Sequence, residues 1–319
     1  MRFRLAYAIS LALTAAAAYG QGYPTKPVRL VVGFTPGGGV DINARLLAPK
    51  LTEYLGQQVI VDNRPGAGTN IANEFVARAA PDGYTLLVNT AALAINMSLY
   101  KKVNFDAIKD FAPISVFSQS PNILTVHPSL SVSGVKDLVA LAKAKPGALN
   151  FSSAGSGTTQ HLTGELFKLR TGTNIVHVPY KGSAPSLTAL LSGEVEMTFA
   201  NIPAISAHVK AKRLRALANA GEKRSDQLPD VPTLRESGIK GVEVVVWYGV
   251  LAPAGTPAEI VKLLANTISK AARAPDTSKL LIDQGAEPVG NSPEEFAKLL
   301  RQELTRWAEV IKVSGARAD

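Results

Sequence analysis

A chain of 319 residues with 34 Lys and Arg against 25 Asp and Glu carries a formal net charge of +9, and 46% of it is hydrophobic. That apolar share suffices for packed cores and excludes a disordered chain. The 0 cysteines exclude disulfides, thiolate metal sites, a cysteine nucleophile and a lipid-anchored N-terminal Cys.

The N-terminus reads as a targeting segment. Arg2 and Arg4 precede an apolar, alanine-rich run from Leu5 to Ala18, and Ala18-Tyr19-Gly20 offers small residues at the two positions a signal peptidase reads. The run is too short for a membrane span. Residues 1–20 are therefore expected to be a cleaved signal peptide. The roughly 300 residues that remain favour two lobes over one. Lys and Arg are scattered rather than clustered, which argues against nucleic acid as a partner and suits an anionic small molecule.

Val28 to Gly33 is an apolar run expected as a strand buried on both faces. The loop Phe34 to Val40 follows, and then a helix with Ile42, Leu46, Leu47, Leu51 and Leu55 on one face, closed by Gly56. Pro49 inside it implies a kink or a late start. Val59 to Val61 reads as a strand. The glycine loop from Pro65 to Asn70 leads into a helix from Ile71 to Ala79, and Tyr84 to Val88 is the next strand. The rhythm restarts with Ile123 to Val126 (strand), Val135 to Ala144 (helix) and Leu149 to Ser152 (strand). A second glycine loop, Ser153 to Thr158, opens a helix from Thr159 to Arg170. Further strands are expected at Ile175 to Val178, Glu196 to Phe199 and Leu214 to Ala218, with helices near Ala184 to Leu191 and Ile205 to Lys210. Thr256-Pro257-Ala258-Glu259 and Ser292-Pro293-Glu294-Glu295 each announce a helix with a hydroxyl N-cap. The last helix aligns Phe296, Leu299, Leu300, Leu304, Trp307 and Ile311 as a packing stripe. Such alternation means parallel sheets with right-handed crossovers and ligands outside the strands' carboxyl ends.

The glycine loops are not nucleotide motifs. Ile71 and Gln160 stand where a dinucleotide fingerprint needs its third glycine, and no P-loop, Gly-x-Ser-x-Gly or His-Glu-x-x-His occurs. His127, His161, His177 and His208 have no metal spacing, so neither a metal nor a cofactor is expected, and no catalytic residue is found. The loops do suit a carboxylate, because glycines let backbone N–H groups approach a ligand at a helix N-terminus.

At these residues the chain becomes recognisable. YPTKPVRLVVGFTPGGGVDINARLLAPKL, VIVDNRPGAGTNIANEFVARAAPDGYTLL, FSSAGSGTTQHLTGELFK, VPYKGSAPSLTALLSGEVEM and WYGVLAPAGTPAEIV resemble, in order, blocks of the receptors of tripartite tricarboxylate transporters, the TctC or Bug family. The resemblance spans essentially the whole mature chain. It implies an α/β type II periplasmic binding-protein fold: two lobes, each a doubly wound, mostly parallel sheet, joined by two crossover strands. Lobe 1 is expected to comprise 21–118 and 219–319, and lobe 2 119–218.

Carried over from the family, the first side of a carboxylate site falls on Phe34, Thr35, Gly37 and Asp41, and the second on Ser153, Ser156, Thr158 and His161. Thr69, Asn89, Thr90, Tyr180, Lys181 and Asn201 are further cleft candidates. Backbone around Thr35, Gly37 and Ser156 is expected to donate to the ligand, with Asp41 as a structural cap or water holder. His161 is expected at the cleft rim, with a buried core histidine as the alternative. Lys181 is a candidate for a second ligand anion, with a solvated lysine as its alternative. Trp247 and Tyr248 are expected to pack under the cleft. Two departures concern specificity. The family often has an acidic residue where Ala200 lies, and Thr69 replaces a usual glycine.

The resulting expectation is a periplasmic, non-enzymatic receptor, monomeric by default. It binds a di- or tricarboxylate or an aromatic acid and delivers it to transporter membrane subunits. A receptor docking on a membrane sensor kinase and an α/β enzyme are the alternatives.

Overall fold

The structure, a computed structural model, describes residues 22–318. The signal-peptide segment lies outside the described residues.

The first lobe begins with β1 (Val28–Val32), α1 (Gly39–Leu55), β2 (Val59–Asn63), a 3-10 turn at Ala67–Thr69, α2 (Asn70–Ala77), β3 (Thr85–Asn89) and α3 (Ala92–Leu99). Strand β4 (Phe111–Val126) leads to the second lobe. There follow α4 (Val135–Ala144), β5 (Asn150–Ser153), α5 (Thr159–Thr171), β6 (Val176–Pro179), α6 (Ser183–Ser192), β7 (Met197–Asn201), α7 (Ile202–Lys210) and β8 (Arg215–Asn219). The chain returns through β9 (Val245–Pro253), α8 (Ala258–Arg273), α9 (Pro275–Asp283), β10 (Glu287–Pro288) and α10 (Pro293–Ser314).

The strand order is β2-β1-β3-β9-β4-β7-β5-β6, with β8 and β10 also on β4. β1 runs parallel to β2 and β3, and β5 parallel to β6 and β7, while β9 and β4 are antiparallel to their neighbours. Strand β4 belongs to both halves. Up to Pro121 it pairs with β9, and from Asn122 it pairs with β7. The return crossing is anchored by Ala220 N donating to Asn122 O at 2.8 Å and Val244 N donating to Ala220 O at 2.7 Å. Two strands of backbone thus join the lobes.

Both faces of the first parallel sheet are covered, so Leu30, Val31 and Val32 have no exposed surface. The α10 stripe finds its partner core: Phe296, Leu300, Trp307 and Ile311 are buried, and the helix packs on α3, β4 and α5. Ser292 caps α10 in a reciprocal box with Glu295. Thr256 behaves differently from its sequence signal. Its hydroxyl donates to Pro253 O at 2.8 Å, and Pro257 occupies the N-cap of α8. Pro49 sits inside α1 without ending it.

Candidate functional site

Four helices begin at one place between the lobes. Their N-caps are Gly38 of α1, Thr158 of α5, Gly182 of α6 and Asn201 of α7. Only Thr158 uses its side chain as a cap, accepting from His161 N, so the other three starts keep their first N–H groups free of side-chain partners. One cavity is lined by Gly38, Gly39 and Val40 from α1, Thr158, Thr159 and Gln160 from α5, Ser183 from α6 and Asn201 from α7. Phe34, Thr90, Ala154, Val246 and Tyr248 complete its wall. None of the lining residues is Asp, Glu, Lys or Arg.

The lobes are closed on this cavity. Its volume is about 20 Å³, room for roughly one water. Asn201 Nδ2 donates to Tyr248 Oη at 2.5 Å, linking β7 of one lobe to β9 of the other. Burial raises the Tyr248 phenol despite the opposing bond from Asn201, so it stays protonated. Gly39 lies where a side chain would overlap Asn201 Nδ2 and Tyr248 Oη. At the rim, Tyr100 Oη donates to Ser156 O at 3.3 Å, and Asn96 faces Gly157 across the gap.

The sequence-derived candidates divide into three groups. Phe34, Thr90, Thr158 and Asn201 line the cavity. A second group supports it from behind. Asp41 accepts from Gly37 N at 2.9 Å, Asn63 Nδ2 at 2.9 Å and Arg45 Nε at 3.0 Å. Burial alone would raise its carboxyl, but those bonds from Arg45, Gly37 and Asn63 outweigh it and hold the pKa below the usual range. Asp41 therefore pins the loop before α1. Gly37 spends its N–H on Asp41 rather than presenting it to the cavity. Thr69, at φ 84°, packs its Cβ against Gly33, and its hydroxyl accepts from Asn73 and Asn89. The amide oxygen of Asn89 accepts from Thr90 N at 2.8 Å. Ser153 meets His177 Nε2 at 2.7 Å.

His161 belongs to this group too. It is 2% exposed, a core histidine and not a rim residue, because its ring stacks on His177 beneath the loop. Burial, then the Lys168 charge, lowers its pKa to about 4, so it is neutral.

The third group does not line the cavity. Lys181 is exposed, and Tyr180 Oη donates to Glu194 Oε1 at 2.9 Å. Thr35 Oγ1 is buried against Gly182 without a partner, and Ser156 meets the first lobe through its backbone oxygen. Sequence reasoning missed Gly38, Gly39, Gln160, Ser183 and Tyr248. For the first four, the available signal was position in the first turn of a helix after a β-strand. Trp247 packs on Phe296, whereas Tyr248 reaches the cavity wall.

Among the described residues no group of His, Cys, Asp and Glu is arranged to hold a metal ion, and no helix is long and apolar enough to cross a membrane.

Comparison with known proteins places this architecture. The profile of the tripartite tricarboxylate transporter family receptors, TctC, matches residues 43–316. Protein BugT of Bordetella pertussis is 38% identical over 97% of this chain and 95% of its own length. A UPF0065 protein from the tcbD-tcbE intergenic region of Pseudomonas sp. (strain P51) is 38% identical over 97% of this chain and 94% of its own. Among solved structures, R. palustris Rpa4515 with adipate is similar at a TM-score of 0.90 and 40% identity, covering 93% of this chain and 100% of that one. MatC from Rhodopseudomonas palustris with bound malate follows at 0.87 and 31%, covering 91% and 100%. The chain belongs to the TctC family of tripartite tricarboxylate transporter receptors, which are solute receptors with a periplasmic binding-protein fold and not enzymes.

Proposed function

We propose that the interlobe cavity captures a small carboxylated metabolite, and that the closed form hands it to the membrane subunits of a tripartite tricarboxylate-type transporter. The observation that carries this reading is the meeting of four helix N-termini, from both lobes, on a wall with no charged side chain. Each N-terminus favours an anion by about 0.3–1 kcal/mol, and up to ~2 when partly buried. Charge-assisted hydrogen bonds from free N–H groups add about 1.5–3 kcal/mol each. A few such bonds reach the roughly 8 kcal/mol of a micromolar binder after ordering costs. No arginine is needed. The adipate and malate held by the two relatives put dicarboxylates first among the ligands to try.

In this reading the ligand-binding residues are those lining the cavity, with Asp41, Thr69, Asn89, Ser153 and His161 holding the loops in place. The mechanism is a population shift: contacts from both lobes stabilise the closed state, which the permease recognises. The chain is exported to the periplasm with residues 1–20 removed, and it acts as a monomer. The hinge falls near 118/119 and 218/219. Support comes from the change of β4 partners after Pro121 and from the end of β8 at Asn219.

Calorimetric titration with adipate, malate, a tricarboxylate and an aromatic acid tests this reading, alongside small-angle scattering. The expected result is one site for at least one acid, with compaction on binding. Absence of heat and of compaction for every acid would contradict it.

A further inference from the structure

We infer that His161 and His177, through hydrogen bonds from their ring nitrogens, form the positioning element that holds the second-lobe glycine loop, Ser153 to Thr158, in its ligand-ready shape. The inference rests on the reading above, in which the start of α5 faces the ligand. The two rings lie 4.0 Å apart at 13°, one from α5 and one from β6. Each ring holds one end of the loop. His161 Nδ1 accepts from Gly157 N at 3.2 Å, and His177 Nε2 bonds Ser153 Oγ at 2.7 Å. Ser153 Oγ in turn accepts from Gly155 N at 3.1 Å. Phe151 closes the far side of the stack, 4.8 Å from His177.

The loop needs such a brace. Gly155 and Gly157 have φ of +128° and +85°, conformations that a free glycine segment leaves readily. Neither ring lines the cavity, so both act through the loop. The bond from Gly157 fixes the chemistry as well as the geometry, because Nδ1 accepts only when the imidazole is neutral with its proton on Nε2. The same tautomer keeps a cation out from under the ligand loop. Lys168 is nearby, and its charge is met by Glu165 at 2.8 Å.

Two substitutions separate the ring from its acceptor atom. His161→Phe keeps an aromatic ring and removes Nδ1. His161→Asn removes the ring and places an amide oxygen at the same bond distance from Cα. Amide hydrogen exchange at Gly157 in the ligand-free protein is the readout, paired with calorimetric affinity for adipate and malate. His161→Phe should speed Gly157 exchange at least tenfold and weaken binding at least tenfold, and His161→Asn should restore both to within about threefold of wild type. His177→Phe, a second route should His161→Phe fail to fold, should accelerate Gly155 rather than Gly157. Unchanged Gly157 exchange in His161→Phe, or equal acceleration in His161→Asn, overturns the inference. Loosening of the loop with affinity intact also overturns it. If wild-type protein binds neither acid, the functional reading fails for those acids, while Gly157 exchange still decides the brace.

Discussion

Asn201 and Tyr248, from opposite lobes, share a hydrogen bond of 2.5 Å at the wall of the closed cavity. Both side chains are nearly inaccessible, at 5% and 1%. Removing the hydroxyl with Tyr248→Phe leaves a buried amide without its partner, which costs about 1–3 kcal/mol. Urea unfolding of the carboxylate-saturated, closed protein should show that loss at unchanged slope. Affinity for the carboxylate should fall as well, because the bond exists only when the lobes meet.

Gly39 gives a cleaner separation of closure from stability. Its φ is not in the left-handed region, so alanine fits the backbone, but a methyl there overlaps Asn201 and Tyr248 of the closed form. Gly39→Ala should therefore leave thermal unfolding of the ligand-free protein nearly unchanged. It should weaken carboxylate binding by more than tenfold and abolish the compaction seen by scattering.

Asp41 holds the first-lobe loop through Gly37, Arg45 and Asn63. Asp41→Asn keeps the size and removes the charge that strengthens those bonds. Chemical denaturation should report a loss of about 2 kcal/mol. Because its folded pKa is lowered, Asp41 stabilises the fold above its unfolded pKa, and that contribution fades as pH falls through the folded value.

The histidine pair adds a second acid sensitivity of the same sign. Burial, followed by Lys168, lowers His161 from 6.5 to about 4, and burial, followed by His161 and Lys168, lowers His177 to about 2. The unfolded chain takes up these protons first as pH drops. Stability is thus complete above about pH 6.5 and declines from there to pH 4, by on the order of 3 kcal/mol for His161. Denaturation midpoints measured from pH 7.5 to 4 should show this slope. His161→Phe should reduce it by about half, leaving the part due to His177.

Much of the architecture was legible from local pattern. The apolar run of β1, the periodic face of α1 closed by Gly56, and α4 at Val135–Ala144 all follow from spacing and caps. Strand β4 was legible only in its last residues, because Pro113 and Pro121 and two register shifts interrupt the rest. Helix α3 is almost uniformly apolar and carries no cap, so nothing marked its start. The site itself was half visible. Glycine loops before helices announce N–H donors, but which helices share a cavity is set by lobe closure. Gln160 and Ser183 carry only their place in a helix's first turn as a signal, and the stack that takes His161 out of the rim leaves no mark in the chain.

A crystal structure of the protein soaked with adipate or malate, or with whatever acid it retains on purification, is the most direct test. Ligand carboxylate oxygens should lie within hydrogen-bond reach of backbone N–H groups at the starts of both α1 and α5, near Gly39 and Thr159. A carboxylate bound to one lobe only, or paired with a surface lysine such as Lys181 outside the cavity, would contradict it.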